Sequence, residues 1–472
     1  MFLERIVTQT RSDLEQRKSE RSLAEVQQLA AEQPAPRDML AALRDEAERA
    51  VRLIAEVKRA SPSKGLLAPH LDPVELARTY EANGAAAISV LTEPHFFLGS
   101  PAYLTAIKHA VSLPVLCKDF IFDEYQVYEA RSWGADAILL ICALLEDRQL
   151  RHLLGLARSQ GMHCLVEVHS VEEAQRAVKA GASIIGVNSR DLVTFAMHPC
   201  LIRDLRRLLP PDRVVVAESG IHNAADARRL ARYDVQAMLV GESLVVAQDV
   251  PEQMRALLAG ANESTQVKIC GLKTAEHIDA AVDAGADMLG FVFYQPSHRY
   301  LSPEQASALA QGNARLARKH GEPDLVGVFV NEEAEKINDI AEQVGLHFVQ
   351  LHGNESPEFC QQIQRPVIKA IPLRSLDDRE AIDAYRNVTW RILLDTPSAG
   401  WGGSGVAHDW SAARTIAREL PILLAGGLTP ENVAGAIAQV RPWGVDVSSG
   451  VETEKQKDTE KVRKFIAQVR KH

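Results

Sequence analysis

The sequence predicts an α/β chain folded as two consecutive (β/α)8 TIM barrels joined by a short linker. Three observations predict this. Strand-like and helix-like segments alternate along nearly the whole chain. They fall into two runs of eight strand candidates each, and a short, small, polar stretch at 259–265 parts the runs. The chain has 472 residues, too many for one ordinary core. Barrel domains commonly take roughly 200–250 residues, so two fit.

In chain order, residues 3–18 and 36–49 read as helices ahead of the first strand. The first run of strands is 53–58, 87–91, 114–118, 137–142, 164–167, 184–188, 214–218 and 237–240. These are short apolar, β-branched runs bounded by polar punctuation, as buried parallel strands should be. Helical segments such as 123–133, 146–160 and 171–180 lie between them. Gly84-Ala85, Gly134-Ala135, Gly181-Ala182 and Gly285-Ala286 each fall between a helix and the next strand. Glycine is expected just past a helix C-terminus, where φ is positive. After the linker the strands resume at 267–270, 288–293, 325–330, 347–350, 367–370, 391–395, 422–425 and 444–447, with a last helix at 454–469. The expected division is therefore 1–258, linker 259–265, and 266–472.

Composition excludes several classes. A formal net charge of −9 and a pI near 6.0 argue against nucleic acid or anionic membrane as the main partner. No apolar run is long enough to span a bilayer, and the charged N-terminus lacks a signal-peptide core. The six cysteines (Cys117, Cys142, Cys164, Cys200, Cys270 and Cys360) are scattered, without a C-x-x-C pair or a His/Cys cluster. That spacing predicts no metal site and no disulfide framework, and fits a reduced cytoplasm.

In such barrels chemistry sits at the C-terminal strand ends. The stretch A-E-V-K-R-A-S-P-S-K-G places Glu56 and Lys58 two apart on the first strand, hence on one face. They form either a structural ion pair or a proton-transfer pair. The loop from Ser61 to Gly65 has hydroxyls and a cation suited to phosphate or carboxylate. Lys118, Glu167, Asn188 with Arg190, Glu218-Ser219-Gly220, and Gly241-Glu242-Ser243 end later strands. Any one of these reads as a solvated strand end, but six in succession do not. Lysine and glutamate side by side in a partly dry cavity can exchange protons with a substrate. Gly220, Gly241 and Ser243 follow strands seven and eight, where backbone N–H groups bind phosphate. In the second run, Cys270 before Gly271 is either a small core residue or a reactive thiolate. Asp395 precedes a glycine-rich loop at 400–405, which reads as a close backbone approach to a ligand or as plain linker. Gly426, Gly427, Ser448, Ser449 and Gly450 occupy the second phosphate position.

These motifs carry two resemblances. E-V-K-R-A-S-P-S-K-G, L-T-E-P-H-F-F, K-D-F-I, N-S-R-D-L, A-E-S-G-I and V-G-E-S-L resemble indole-3-glycerol phosphate synthases over about 1–258. The resemblance implies closure of 1-(2-carboxyphenylamino)-1-deoxyribulose 5-phosphate to an indole, with loss of CO2 and water. Lys118 would be the acid at the ketone. Glu167 and Lys58 would handle the dehydration protons, with Glu56 tuning Lys58. Ser61, Asn188, Arg190, Glu218 and Ser219 would line the pocket, and Phe97 and Phe120 would pack on the anthranilate ring or simply be core. K-I-C-G-L, S-H-R-Y, Q-L-H-G, L-L-D-T, G-G-S-G, A-G-G-L and D-V-S-S-G-V-E are similar to phosphoribosylanthranilate isomerases over about 266–472. There Cys270 would be the base at the sugar C2 proton and Asp395 the acid at the furanose oxygen. Arg299 would pair with the anthranilate carboxylate, and Asp446 would steady hydroxyls or the amine. His352 is either at the site edge or structural. His408, in V-A-H-D-W, departs from an expected Phe. Together the resemblances imply a bifunctional enzyme of tryptophan biosynthesis. It would act on phosphorylated anthranilate-sugar substrates without metal or cofactor, and a monomer is plausible. The rivals are a phosphate-sugar barrel enzyme of a neighbouring pathway and a metabolite-binding pseudoenzyme. The first would lack this pairing of motifs, and the second should have lost its acids and bases.

Overall fold

The computed structural model describes residues 2–44, 50–191, 196–198, 201–206, 208–210, 212–262, 265–313, 316, 323–395 and 410–471. Cys200, His408 and the loop 400–405 lie outside the described residues. The chain divides into two compact units, Met1–Asn262 and Glu263–His472.

The first unit is a closed barrel of eight parallel strands. These are β1 (Arg52–Val57), β2 (Ala87–Leu91), β3 (Val115–Lys118), β4 (Ala137–Ile141), β5 (His163–Val168), β6 (Ile184–Asn188), β7 (Val214–Glu218) and β8 (Ala237–Val240). Each pairs with its sequence neighbours. β1 closes on β8 with Leu53 opposite Met238 and Ala55 opposite Val240. Nearly every strand residue is buried, because side chains of one parity fill the barrel and those of the other meet the surrounding helices. Parallel strands share a direction, so Glu56, Lys118, Glu167, Asn188 and Glu218, all at or near C-terminal ends, arrive at one rim.

The helices begin where the sequence offers caps. Asp72-Pro73 and Ser100-Pro101 pair a capping side chain with proline in the first turn. Asp123 and Gln126 form a reciprocal capping box. Gly181 ends a helix at φ +85 in the left-handed region, as the Gly-Ala repeat predicts. Ahead of β1 the chain departs from expectation. Phe2–Glu20 is helical and is clamped by Arg17 on Glu129 at 2.9 Å and Lys18 on Asp123 at 2.8 Å. A second helix, Leu23–Ala31, starts at a Ser22–Glu25 capping box. The predicted helix 36–49 reduces to Met39–Leu43, because Asp38 caps it late and Arg44 is already extended.

The linker also needs correction. Residues 259–262 are the last turn of the helix Val250–Asn262. A Cβ at Gly260 would lie 2.3 Å from the Ala224 carbonyl oxygen, so glycine is what lets this helix lie against the next. The Asn262 side chain then accepts from the Val51 N–H at 2.7 Å and donates to the Val51 carbonyl at 3.3 Å, just before β1.

The second unit is likewise a closed barrel of eight parallel strands. They are β9 (Gln266–Cys270), β10 (Met288–Val292), β11 (Asp324–Phe329), β12 (Phe348–Leu351), β13 (Val367–Pro372), β14 (Arg391–Asp395), β15 (Ile422–Leu424) and β16 (Gly444–Val447). The last helix is Thr459–Val469, starting later than predicted. Glu452–Thr453 pairs antiparallel with Gln456–Lys457 first, through a turn at Glu454 and Lys455 with φ of +52 and +64. Among the described residues no helix is long and apolar enough to cross a membrane, and no cluster of His, Cys, Asp or Glu is arranged to hold a metal.

Candidate active sites at the two barrel mouths

The first rim encloses an open cavity of about 1160 Å³. Lys118, at the end of β3, stands at its centre. Its Nζ lies 2.7 Å from Glu218 Oε2 and 3.8 Å from both Glu56 Oε2 and Glu167 Oε2. Lys58 meets the other Glu56 oxygen at 2.8 Å. Glycines make room for these carboxylates. A Cβ at Gly186 would lie 2.0 Å from Glu218 Oε1, and one at Gly241 would lie 2.5 Å from Glu56 Oε1.

Burial and charge compete here. Burial alone would depress the Lys118 ammonium, but Glu218, Glu56 and Glu167 outweigh it and hold its pKa above the ordinary lysine value. Glu56 is opposed by burial, yet Lys58 and Lys118 keep it below the usual carboxylate range. Glu167 also resists burial, and His169 and Lys118 hold it down at about 2. Glu218 goes the other way. Burial and the two neighbouring carboxylates outweigh Lys118 and raise it to about 7. Its Oε1 has no hydrogen-bond partner, which a protonated acid tolerates better than a carboxylate does.

The remaining predicted residues line the same cavity: Ser61, Phe97, Phe120, Asn188, Arg190, Ser219, Gly220 and Gly241. Ser61 Oγ is buried with no partner among the described residues. The Phe97 and Phe120 rings are tilted against each other, 6.1 Å between centroids. Glu93 fixes that turn by accepting from the N–H groups of His95, Phe96 and Phe97 at 2.7–2.9 Å. Ser219 holds φ +66, uncommon for a serine, and donates to Asn188 Oδ1 at 2.8 Å. Ser243 is the exception. Its hydroxyl donates to the Ile221 carbonyl at 2.9 Å, tying the loop after β7 to the turn after β8, and it does not line the cavity.

The second rim surrounds a smaller cavity of about 730 Å³. Cys270 and Asp395 both line it, with Arg299, His352, Asp446, Gly426, Gly427, Ser448, Ser449 and Gly450. His352 Nε2 lies 3.3 Å from Asp395 Oδ2, and its Nδ1 meets Gln350 Nε2 at 2.9 Å. The phosphate-type rim is tightly built. A Cβ at Gly450 would lie 1.8 Å from the Leu428 carbonyl oxygen. The Ser448 hydroxyl is already used, donating to the Cys270 carbonyl at 3.1 Å, so only its backbone remains for an anion. Arg299 makes a two-pronged pair with Glu452 at 2.7 and 2.8 Å. Burial raises the Cys270 thiol, and Lys268 pulls against it.

Residues 3–257 match the family model described as indole-3-glycerol phosphate synthase. The chain belongs to the indole-3-glycerol phosphate synthase family. Residues 267–468 match a second model, described as N-(5'phosphoribosyl)anthranilate isomerase. An indole-3-glycerol phosphate synthase of Dehalococcoides mccartyi (strain ATCC BAA-2100 / JCM 16839 / KCTC 5957 / BAV1) is 51% identical over 262 residues, 55% of this chain and 100% of that protein. A multifunctional tryptophan biosynthesis protein of Phycomyces blakesleeanus is 36% identical over 478 residues. That match covers 89% of this chain and 62% of the relative, so the chain spans about six-tenths of that protein's length. The crystal structure of phosphoribosyl anthranilate isomerase from Thermotoga maritima is 43% identical, covering 44% of this chain and 100% of that one, with a TM-score of 0.41.

In the synthase-family barrel the sequence reading overlooked His169. Its Nε2 lies 3.3 Å from Glu167 Oε1 and its Nδ1 3.4 Å from Glu173 Oε2. Burial disfavours its charge, yet the two glutamates outweigh burial and raise it to about 10, so it is a cation at neutral pH. In the isomerase-type barrel it overlooked Lys268, fully buried and 2.9 Å from Asp446. Lys457, bonded to Glu452 at 2.7 Å and to the Ser448 carbonyl at 2.8 Å, was also overlooked.

Proposed function

We propose that the chain catalyses two consecutive steps of tryptophan biosynthesis. The second barrel isomerises N-(5-phosphoribosyl)anthranilate to 1-(2-carboxyphenylamino)-1-deoxyribulose 5-phosphate. The first closes that product to indole-3-glycerol phosphate with loss of CO2 and water. The observation that carries the proposal is an acid–base set beside a glycine-rich anion rim in each barrel, in a chain matching both family models in succession.

In the first barrel Lys118 protonates the substrate ketone as the aromatic carbon attacks, and loss of CO2 restores aromaticity. The carboxylates around Lys118 keep it charged and aimed. Lys58 and Glu167 then carry the protons of dehydration, with Glu56 holding Lys58 at 2.8 Å. Phe97 and Phe120 offer the anthranilate ring an apolar wall, and the turns at Gly220 and Gly241 offer N–H groups to the phosphate. In the second barrel Cys270 takes the C2 proton and Asp395 protonates the ring oxygen, so the furanose opens. Arg299 serves the anthranilate carboxylate while braced by Glu452. A cytoplasmic, monomeric protein suits this chemistry, and sedimentation would check the mass.

Assays of the two half-reactions test the reading. Lys118→Ala should lower indole formation by roughly 100-fold or more and leave isomerisation intact, and Cys270→Ala should do the reverse. If both variants lost both activities, the assignment of separate sites would be wrong.

A further inference from the structure

We infer that Lys268 is a positioning residue for the isomerase reaction: from beneath the cavity floor it supplies the cation that pairs with the Cys270 thiolate, and Asp446 anchors it there. The inference rests on the reading of Cys270 as the general base.

The geometry is specific. Lys268 and Cys270 lie two apart on β9, so both side chains face the barrel interior. Lys268 is wholly buried and does not line the cavity, whereas Cys270 and Asp446 both do. Lys268 therefore joins two cavity-facing groups from below. Its Nζ lies 2.9 Å from Asp446 Oδ1 and is within hydrogen-bonding reach of the Cys270 sulfur. Both groups crowd the space over Gly290. A Cβ there would stand 2.9 Å from Cys270 Sγ and 3.2 Å from Lys268 Nζ. Glycine on β10 keeps the contact open.

A buried lysine is expensive unless paired, and one carboxylate already satisfies the pairing. A structural pair alone needs no thiol on the other side of the cation. The charged groups around Cys270 single out Lys268. Lys457, in the hairpin after β16, and Arg299, after β10, also act on the thiol, but Glu452 binds both at 2.7 Å. Asp446, on β16, opposes ionisation of the thiol, as burial does, and Lys268 is the largest influence in the other direction. A base buried this deeply works only if a partner favours its charged form.

The test follows alkylation of Cys270 by iodoacetamide in the full-length chain. It is read at the Cys270 peptide by mass spectrometry from about pH 6 to about pH 10, bracketing ordinary thiol titration. Lys268→Met and Lys268→Gln should raise the midpoint by about one unit or more, roughly a tenfold loss of thiolate at neutral pH. Their isomerase kcat should fall accordingly with KM little changed, since Lys268 does not reach the cavity. Lys268→Arg, which keeps the cation, should recover most of the thiolate. Lys268→Gln can still donate to Asp446, so it serves if Lys268→Met does not fold. A folded Lys268→Gln protein with an unshifted midpoint would overturn the inference. Unchanged isomerase turnover in Cys270→Ala would instead remove the base reading, and any midpoint shift caused by Lys268 would still stand.

Discussion

Glu218 shows how one side chain can set a pH response. Its carboxyl titrates near 7 rather than at the ordinary 4.5, because burial and two neighbouring carboxylates outweigh Lys118. Folding therefore favours its bound proton. That stability is complete below about 4.5 and is lost as pH rises through about 7. Glu218→Gln should flatten the stability profile of the first barrel across that window, as thermal melts between the two values would reveal. Lys118 also loses its nearest carboxylate in that variant. The alkaline limb of indole formation, where Lys118 must stay protonated, should move to lower pH by about a unit. His169 predicts the opposite limb. It is the largest influence lowering Glu167, so in His169→Asn the acid limb, where Glu167 must be ionised, should move to higher pH. An acid limb that stays in place in a folded variant would mean His169 is only packing. Both residues bear on what the sequence disclosed. Glu56 and Lys58 were paired by asking which residues share a strand face. The same spacing links Glu167 to His169 and Cys270 to Lys268, but it was not applied there. Ser243 was misjudged for another reason: a hydroxyl's partner is set by the loop opposite, here Ile221, which spacing alone does not reveal.

At the scale of elements, the strands were legible because parallel strands buried on both faces are unbroken apolar runs. Helix starts were legible where a cap and a proline coincide. The helix Leu23–Ala31 was missed although S-x-x-E at Ser22 announces it, since the charged run before it obscured the boundary. The hairpin ahead of the last helix has no local signature, because Glu454 and Lys455 are unusual residues for positive φ. What holds them is Lys457, tied to Glu452 and Ser448. Close backbone approaches are equally invisible in sequence, and one gives a sharp expectation. Gly450→Ala would drive a methyl group into the Leu428 carbonyl, a backbone atom unable to swing aside. The variant should destabilise the second barrel by about 1–3 kcal/mol. It should also raise the isomerase KM, with indole formation unaffected. Paired assays with a calorimetric scan would check both parts.

For the whole molecule, the count of two barrels followed from the alternation of elements, but the seam did not. Small residues near Gly260 look like a flexible joint until their neighbours are known. Gly260 and Ala261 are buried, and Asn262 bonds both backbone groups of Val51. A fragment ending at Leu258 should therefore melt several degrees below one ending at Asn262, the loss of two buried contacts and a helix turn. Equal melting temperatures would show that the last turn contributes nothing. The Asn262 clasp has a wider consequence. The first barrel is latched shut by the final residue before the crossing, so everything it needs has been synthesised when the second begins to emerge. A gene carrying this protein can thus be split or spliced at that codon, and the upstream product would leave the ribosome already finished.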